Sequence, residues 1–267
     1  MKKIIFVLAL LIVGVNFAYA EEVLITLSTE LDDVDFDGTW SYYNEWKPTS
    51  LVKVENNDSS FVYKIAHDFD NLFVYVSATS DKTPKDSGFF LFPDEADRAI
   101  ICIDGKNNGG EKPADDDFCF IATMGTDKVL TLQGGSDQKQ DGFYKTIDNH
   151  SELIGIGAVS SEFDRHSKIP HSTYEFKIPV EIFGRSDVYG LYVGVFDSNL
   201  SIQYGWPQES TEPKYPFIPN PESWGQMVSP DKTLPEFEIP LLMLSSTLIL
   251  IVVLARRRVN LFRLAEY

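Results

Sequence analysis

This sequence predicts an all-β chain, an antiparallel β-sandwich, and three observations carry that expectation. Short runs of β-branched and aromatic residues recur at spacings of roughly 8–15 residues, bounded by Gly, Pro, Asn and Asp. No long amphipathic helical pattern interrupts them. Two of the runs, residues 99–103 and 118–122, flank a loop of Gly, Asn, Pro and acidic residues as the arms of a hairpin would, and each carries one of the chain's 2 cysteines.

In chain order, residues 23–27 (V-L-I-T-L) open as a strand. Residues 51–65 alternate loosely around Asn56-Asn57-Asp58, which predicts two strands and a turn. Asp68 to Asn71 make a turn into residues 72–78 (L-F-V-Y-V-S-A), the clearest strand of the chain, and residues 79–94 form a long polar loop with Pro84, Gly88 and Pro93. Beyond the hairpin-like pair, strands are predicted at 128–132, 154–159, 172–178 and 190–196, with a short turn or helix at 179–183. Trp206-Pro207 and a run of prolines make an irregular section that ends at residues 224–228. The count is about nine to eleven strands, as sandwiches require.

The two ends read differently. Lys2 and Lys3, an apolar run from 4 to 15 and Ala18-Tyr19-Ala20 follow the pattern of a secretory signal peptide over residues 1–20, so the mature chain is expected to begin at Glu21. Residues 239–255 are uncharged and apolar, at the short limit for spanning a bilayer core of roughly 30 Å, and Arg256-Arg257-Arg258 directly after them favour the cytoplasmic side. The expectation is a β-sandwich over 21–232, a linker at 233–238, one transmembrane helix at 239–255 and a basic cytoplasmic tail at 256–267. Pro235-Glu236-Phe237, followed by that helix and the arginines, resembles the PEF-type sorting signal of archaeal surface proteins. The resemblance implies an archaeosortase-type processing enzyme as a partner.

The formal net charge is -17, and the segment between the two ends is more acidic still, because most of the terminal charge is basic. Such a surface repels nucleic acid and anionic lipid, and suits divalent cations or solubility outside a cell. With an exported chain, Cys102 and Cys119 are expected to pair in a disulfide across their two strands.

The loop between those strands gathers oxygen ligands: Asp104, Asn107, Asn108, Asp115, Asp116 and Asp117, with Asp197 able to join from a neighbouring strand end. Hard oxygens in that number suit a structural calcium ion. The same residues are ordinary turn formers, so a solvated acidic turn is the other reading. The alternating acids and closing Glu of an EF-hand are absent.

Several pieces taken in order carry a family resemblance: Asp37-Gly38-Thr39-Trp40, residues 70–76 (D-N-L-F-V-Y-V), residues 97–104 (D-R-A-I-I-C-I-D), residues 174–179 (Y-E-F-K-I-P), residues 190–197, Trp206-Pro207 and Trp224-Gly225. Together they resemble the family 9 carbohydrate-binding modules and the related DOMON-like sandwiches. The resemblance implies two antiparallel sheets, a structural calcium ion and, in sugar binders, tryptophans that clamp a sugar. Trp40 and Trp224 fall at packing positions. Trp206, with Gln203, Tyr204 and Gln208 beside it, and Trp46 are the candidates for a platform, since stacking a sugar needs an exposed aromatic face with polar groups at its rim.

No G-x-S-x-G, H-E-x-x-H or phosphate-binding loop is present, and Glu175, Glu181 and Asp164 are carboxylates whose spacing in sequence assigns no catalysis. No enzyme activity is expected. His67, His150, His166 and His171 read as surface residues. A membrane-anchored, non-catalytic module that recognises carbohydrate or surface glycan is the leading expectation; a structural envelope protein that keeps the sandwich without a sugar site is the alternative. A haem-binding redox domain using Met124 or Met227 with a histidine is the lesser one. N-glycosylation sequons stand at Asn57, Asn149 and Asn199.

Overall fold

The computed structural model describes residues 21–56, 59–86, 96–136, 144–207 and 218–230. The expected signal peptide (1–20), linker (233–238), transmembrane helix (239–255) and tail (256–267) lie outside them, as do Gln208 and the sequon at Asn57. No helix among the described residues is long and apolar enough to cross a membrane.

Thirteen strands are present among the described residues: β1 (Glu22–Leu24), β2 (Ser50–Asn56), β3 (Ser59–His67), β4 (Asn71–Ala78), β5 (Arg98–Asp104), β6 (Asp117–Thr123), β7 (Val129–Gln133), β8 (Lys145–Ile147), β9 (Ile154–Val159), β10 (Ser172–Pro179), β11 (Val188–Asp197), β12 (Ile202–Trp206) and β13 (Gly225–Val228). They form two sheets. The larger runs β1-β13-β11-β5-β6-β7-β8, with β12 also on β11; the smaller runs β2-β3-β4-β10-β9. All pairings are antiparallel except β1 with β13. The predicted sandwich is the observed one. Sequence reading misses β8, whose three residues carry no apolar alternation, and β12, which the neighbouring prolines disguise.

Three apolar layers hold the sheets. The central one interleaves Phe61, Tyr63 and Ile65 of β3 and Tyr174, Phe176 and Ile178 of β10 with Ile101, Ile103, Phe118, Phe120 and Val193 of the larger sheet. A second covers the outer face of the larger sheet, where Ile100, Cys102, Cys119 and Ile121 meet Tyr144, Tyr192, Ile218 and Trp224. The third covers the outer face of the smaller sheet, where Leu31, Trp40 and Trp46 of the segment before β2 pack on Ala66, Phe73 and Tyr75. Strands covered on both faces favour unbroken apolar runs, which is why β5 and β6, buried throughout, are apolar over residues 99–103 and 118–122 and polar only at their ends.

Cys102 and Cys119 face each other in the β5–β6 register with Cα atoms 4.1 Å apart and form the expected disulfide. Gly38 explains the Asp-Gly-Thr-Trp stretch. Its φ is +87°, and a Cβ there would stand 2.8 Å from the Ala158 side chain, so only glycine lets the segment before β2 lie this close to β9.

Candidate functional site

The expected sugar platform rests on the tryptophans. Trp46 is 0% exposed and Trp206 4%; Trp40 and Trp224 are at 2% and 5%, so all four are core residues. Trp46 stacks on Tyr75 with ring centroids 5.4 Å apart and donates its indole N–H to Glu175 Oε1 at 2.8 Å. Trp206 and Tyr204 alternate along β12 toward the central layer, against Tyr63 and Phe61 respectively. Gln203 falls on the opposite face and donates to the Tyr192 hydroxyl at 2.9 Å. The strand's period of two therefore separates residues that sit together in sequence. The expected platform at Trp206, Trp46, Gln203 and Tyr204 is not an exposed face.

The acidic loop is brought together in part. Asp104, Asp116 and Asp117 each place a carboxylate oxygen within 4.8 Å of the others. Asp104 Oδ1 accepts from the Lys106 N–H and Oδ2 from the Gly109 N–H, while Asp117 Oδ2 accepts from the Ala114 N–H. Asp117 Oδ1 is buried and has no hydrogen-bond partner. Burial, opposed by the Ala114 N–H and reinforced by the charges of Asp104, Asp116 and Asp115, pushes the Asp117 carboxyl up to about 7. An orphaned carboxylate oxygen beside two further carboxylates fits a hard divalent cation.

The rest of the expected ligand set is placed elsewhere. Asp115 and Asn108 are exposed, the latter donating to Asp116 Oδ2 at 3.2 Å. Asn107 turns the chain at φ +51°. Asp197 is a correction: Gly190 pairs with Asp104 and Phe196 with Arg98, so Asp197 lies at the far end of β11, roughly 20 Å away at strand spacing. There its Oδ1 accepts from the Asn199 and Leu200 N–H groups.

Two of the four histidines are not surface residues. His67 and His171 are buried at 1% and 0% exposure. His171 Nδ1 lies 2.7 Å from the Ile169 carbonyl, and its Nε2 lies 3.3 Å from Asp164 Oδ2 and 2.8 Å from Ser77 Oγ. Asp164 Oδ2 also accepts from the Tyr75 and Ser77 hydroxyls. Burial alone would lower His171; the Asp164 carboxylate and the Ile169 carbonyl outweigh it and leave the imidazole raised. Met124 and Met227 are packed in the central apolar layer.

What sequence reading does not find is a pocket on the outer face of the smaller sheet. It has a volume of about 180 Å³ and is lined by Lys53 and Glu55 of β2, Ser60 of β3, Thr79, Arg165 and His166. Its walls come from parts of the chain more than a hundred residues apart, so no local motif marks it. Period-two alternation puts Lys53, Glu55, Ser60 and Lys64 on that one face, since the intervening Val54, Phe61 and Tyr63 enter the central layer. The loop before β10 then lays Arg165 and His166 over them.

No family model and no curated protein matches this chain. Solved structures do. A carbohydrate binding module family 9 from Caldicellulosiruptor kristjanssonii in complex with glucose is similar at TM-score 0.50 and 12% identity, covering 78% of this chain and 95% of its own. The same organism's family 9 module in complex with cellotriose gives TM-score 0.51 at 11% identity, over 78% of this chain and 93% of its own. The cytochrome domain of Myriococcum thermophilum cellobiose dehydrogenase gives TM-score 0.29 at 12% identity over 58% and 68%, a level from which nothing about this chain follows. At such identities the likeness is one of fold: this chain shares the sandwich of the two sugar-bound modules.

Proposed function

We propose that this chain is a non-catalytic carbohydrate-binding module of the cell surface. Residues 1–20 export it, residues 239–255 hold it in the membrane and a structural calcium ion sits at Asp104, Asp116 and Asp117. The observation that carries the reading is the sandwich shared with two modules whose structures hold glucose and cellotriose. The carboxylates support the non-catalytic part. Glu175 spends both oxygens on the Trp46 and Gly38 N–H groups, and Asp164 is committed to Tyr75, Ser77 and His171. Burial of all four tryptophans moves the sugar contact away from an indole clamp.

That burial also favours the second reading, a structural envelope protein that has kept the sandwich without a sugar site. Calorimetry of the full chain in detergent against a panel of oligosaccharides separates the two, because saturable binding of any member supports the module and silence across the panel leaves the envelope protein.

Calcium is tested on the same preparation. Saturating calcium is expected to raise the melting temperature, by about 2.7 kcal/mol of stability at a hundredfold excess over Kd, and Asp117→Asn is expected to abolish the rise. A rise unchanged in that variant would place the ion elsewhere. Mass spectrometry of the membrane-derived protein tests the ends: a mature start at Glu21 supports export, and loss of residues after the PEF motif supports archaeosortase-type processing.

A further inference from the structure

Basic side chains converge on the outer-face pocket in a chain whose net charge is -17. Lys53 and Arg165 line it, and Lys64 follows two residues after Val62 on the same face of β3. Lys64 is only 7% exposed. Its ammonium stands 5.8 Å from the centroid of the Trp40 ring, and the Arg165 guanidinium stands 5.4 Å from the same ring. Arg165 also lies 3.9 Å over the ring of Tyr43, which is 64% exposed and has Lys47 at 5.9 Å. Among the described residues, Lys53, Lys64 and Arg165 have no carboxylate partner. A buried lysine next to another cation is costly without a counter-charge.

The second observation is an unsatisfied atom. His166 Nε2, on the pocket wall, is buried with no hydrogen-bond partner. The main chain is held where the His166 backbone N–H donates to Asp164 Oδ1 at 2.6 Å, and Trp40 packs beside the ring at 6.0 Å. Three cations against the single carboxylate of Glu55 on the pocket wall, and a buried imidazole nitrogen without a partner, point the same way.

We propose that this pocket is the subsite for the carboxylate of an acidic sugar, a uronic acid residue of a surface or matrix polysaccharide. Arg165 and Lys53 meet the carboxylate, and Tyr43 at the rim gives the neighbouring ring an aromatic surface. Glu55 on the same wall adds a negative charge that disfavours a compact multivalent anion, and at about 180 Å³ the pocket is too small for a chain of sugars. The acidic remainder of the surface repels densely charged polyanions, so the site selects one carboxylate at a time.

The inference rests on the carbohydrate reading above and fixes the class of sugar. The test is calorimetry of the full chain in detergent with trigalacturonate, cellotriose and sodium sulfate as probes. Trigalacturonate is expected to bind at least tenfold more tightly than either other probe. Lys53→Gln and Arg165→Gln are each expected to weaken it about tenfold, as loss of a charge-assisted hydrogen bond does, while Lys145→Gln, on exposed β8 of the other sheet, leaves it unchanged. Cellotriose binding as tightly as trigalacturonate, with both pocket variants unaffected, would overturn the acidic subsite and leave the carbohydrate module standing. Sulfate binding as tightly as trigalacturonate would make the pocket an inorganic-anion site and overturn the sugar assignment. No binding of any probe would overturn both.

Discussion

Trp46 and Glu175, separated by 129 residues in sequence, meet at 2.8 Å in a fully buried indole-to-carboxylate hydrogen bond on the outer face of the smaller sheet. The other carboxylate oxygen accepts from the Gly38 N–H at 2.8 Å. One side chain of β10 therefore holds two points of the segment that covers this face, Gly38 and Trp46. Burial pushes the Glu175 carboxyl up to about 9, although the Trp46 and Gly38 N–H groups pull it down.

This raised value has a definite sign. A carboxyl whose folded value exceeds its ordinary 4.5 gives its full stability below that pH and loses it as pH rises through about 9. Melting temperature is expected to fall as pH rises from 7 to 9. Glu175→Gln is expected to flatten that fall while lowering stability at pH 7 by about 1–3 kcal/mol, since the amide nitrogen must face one of two N–H donors. An unchanged slope in the variant would locate the titration elsewhere.

The Asp164–His171 pair predicts a loss of a different kind. Asp164→Asn leaves a buried imidazole without its charge partner and is expected to cost about 3–5 kcal/mol, read by denaturant unfolding. The sign of its pH dependence follows from the raised imidazole: its contribution is complete below the ordinary 6.5 and fades as pH rises through the higher folded value. Asp164 itself is held well below the usual carboxylate range, burial being outweighed by His171, the His166 N–H and Tyr75, so its contribution is present above 3.8 and lost in acid.

Reducing the Cys102–Cys119 disulfide, or replacing both residues with Ser, opens a loop spanning a sequence separation of 17. The expected loss is about 3 kcal/mol, or roughly 6–12 °C in Tm for a domain of this size. Differential scanning calorimetry with and without reductant measures it.

Trp206 separates a packing role from a binding role. Trp206→Ala is expected to cost about 3–5 kcal/mol of stability, because the ring fills space beside Tyr63 and above Gly225. Variant protein that remains folded is expected to bind any oligosaccharide as the wild type does. A selective loss of binding with native stability would return Trp206 to the site.

Most of the strands and the disulfide are legible in the sequence. Runs such as residues 72–78 and 99–103 announce strands locally, and two cysteines in adjacent strands have one partner each. It also supplied the acidic loop, from which the fold draws Asp104, Asp116 and Asp117 together. Long-range packing governs which faces are covered. Trp46 and Trp206 have the composition of an exposed platform, but one is covered by the docking of its own segment and the other turns inward by strand alternation. It alone sent Asp197 to the far end of β11, because register between strands is not written in either strand. The pocket was illegible for the same reason: Lys53, Arg165 and His166 are scattered along the chain, and come to line one pocket only when a sheet face and a distant loop meet.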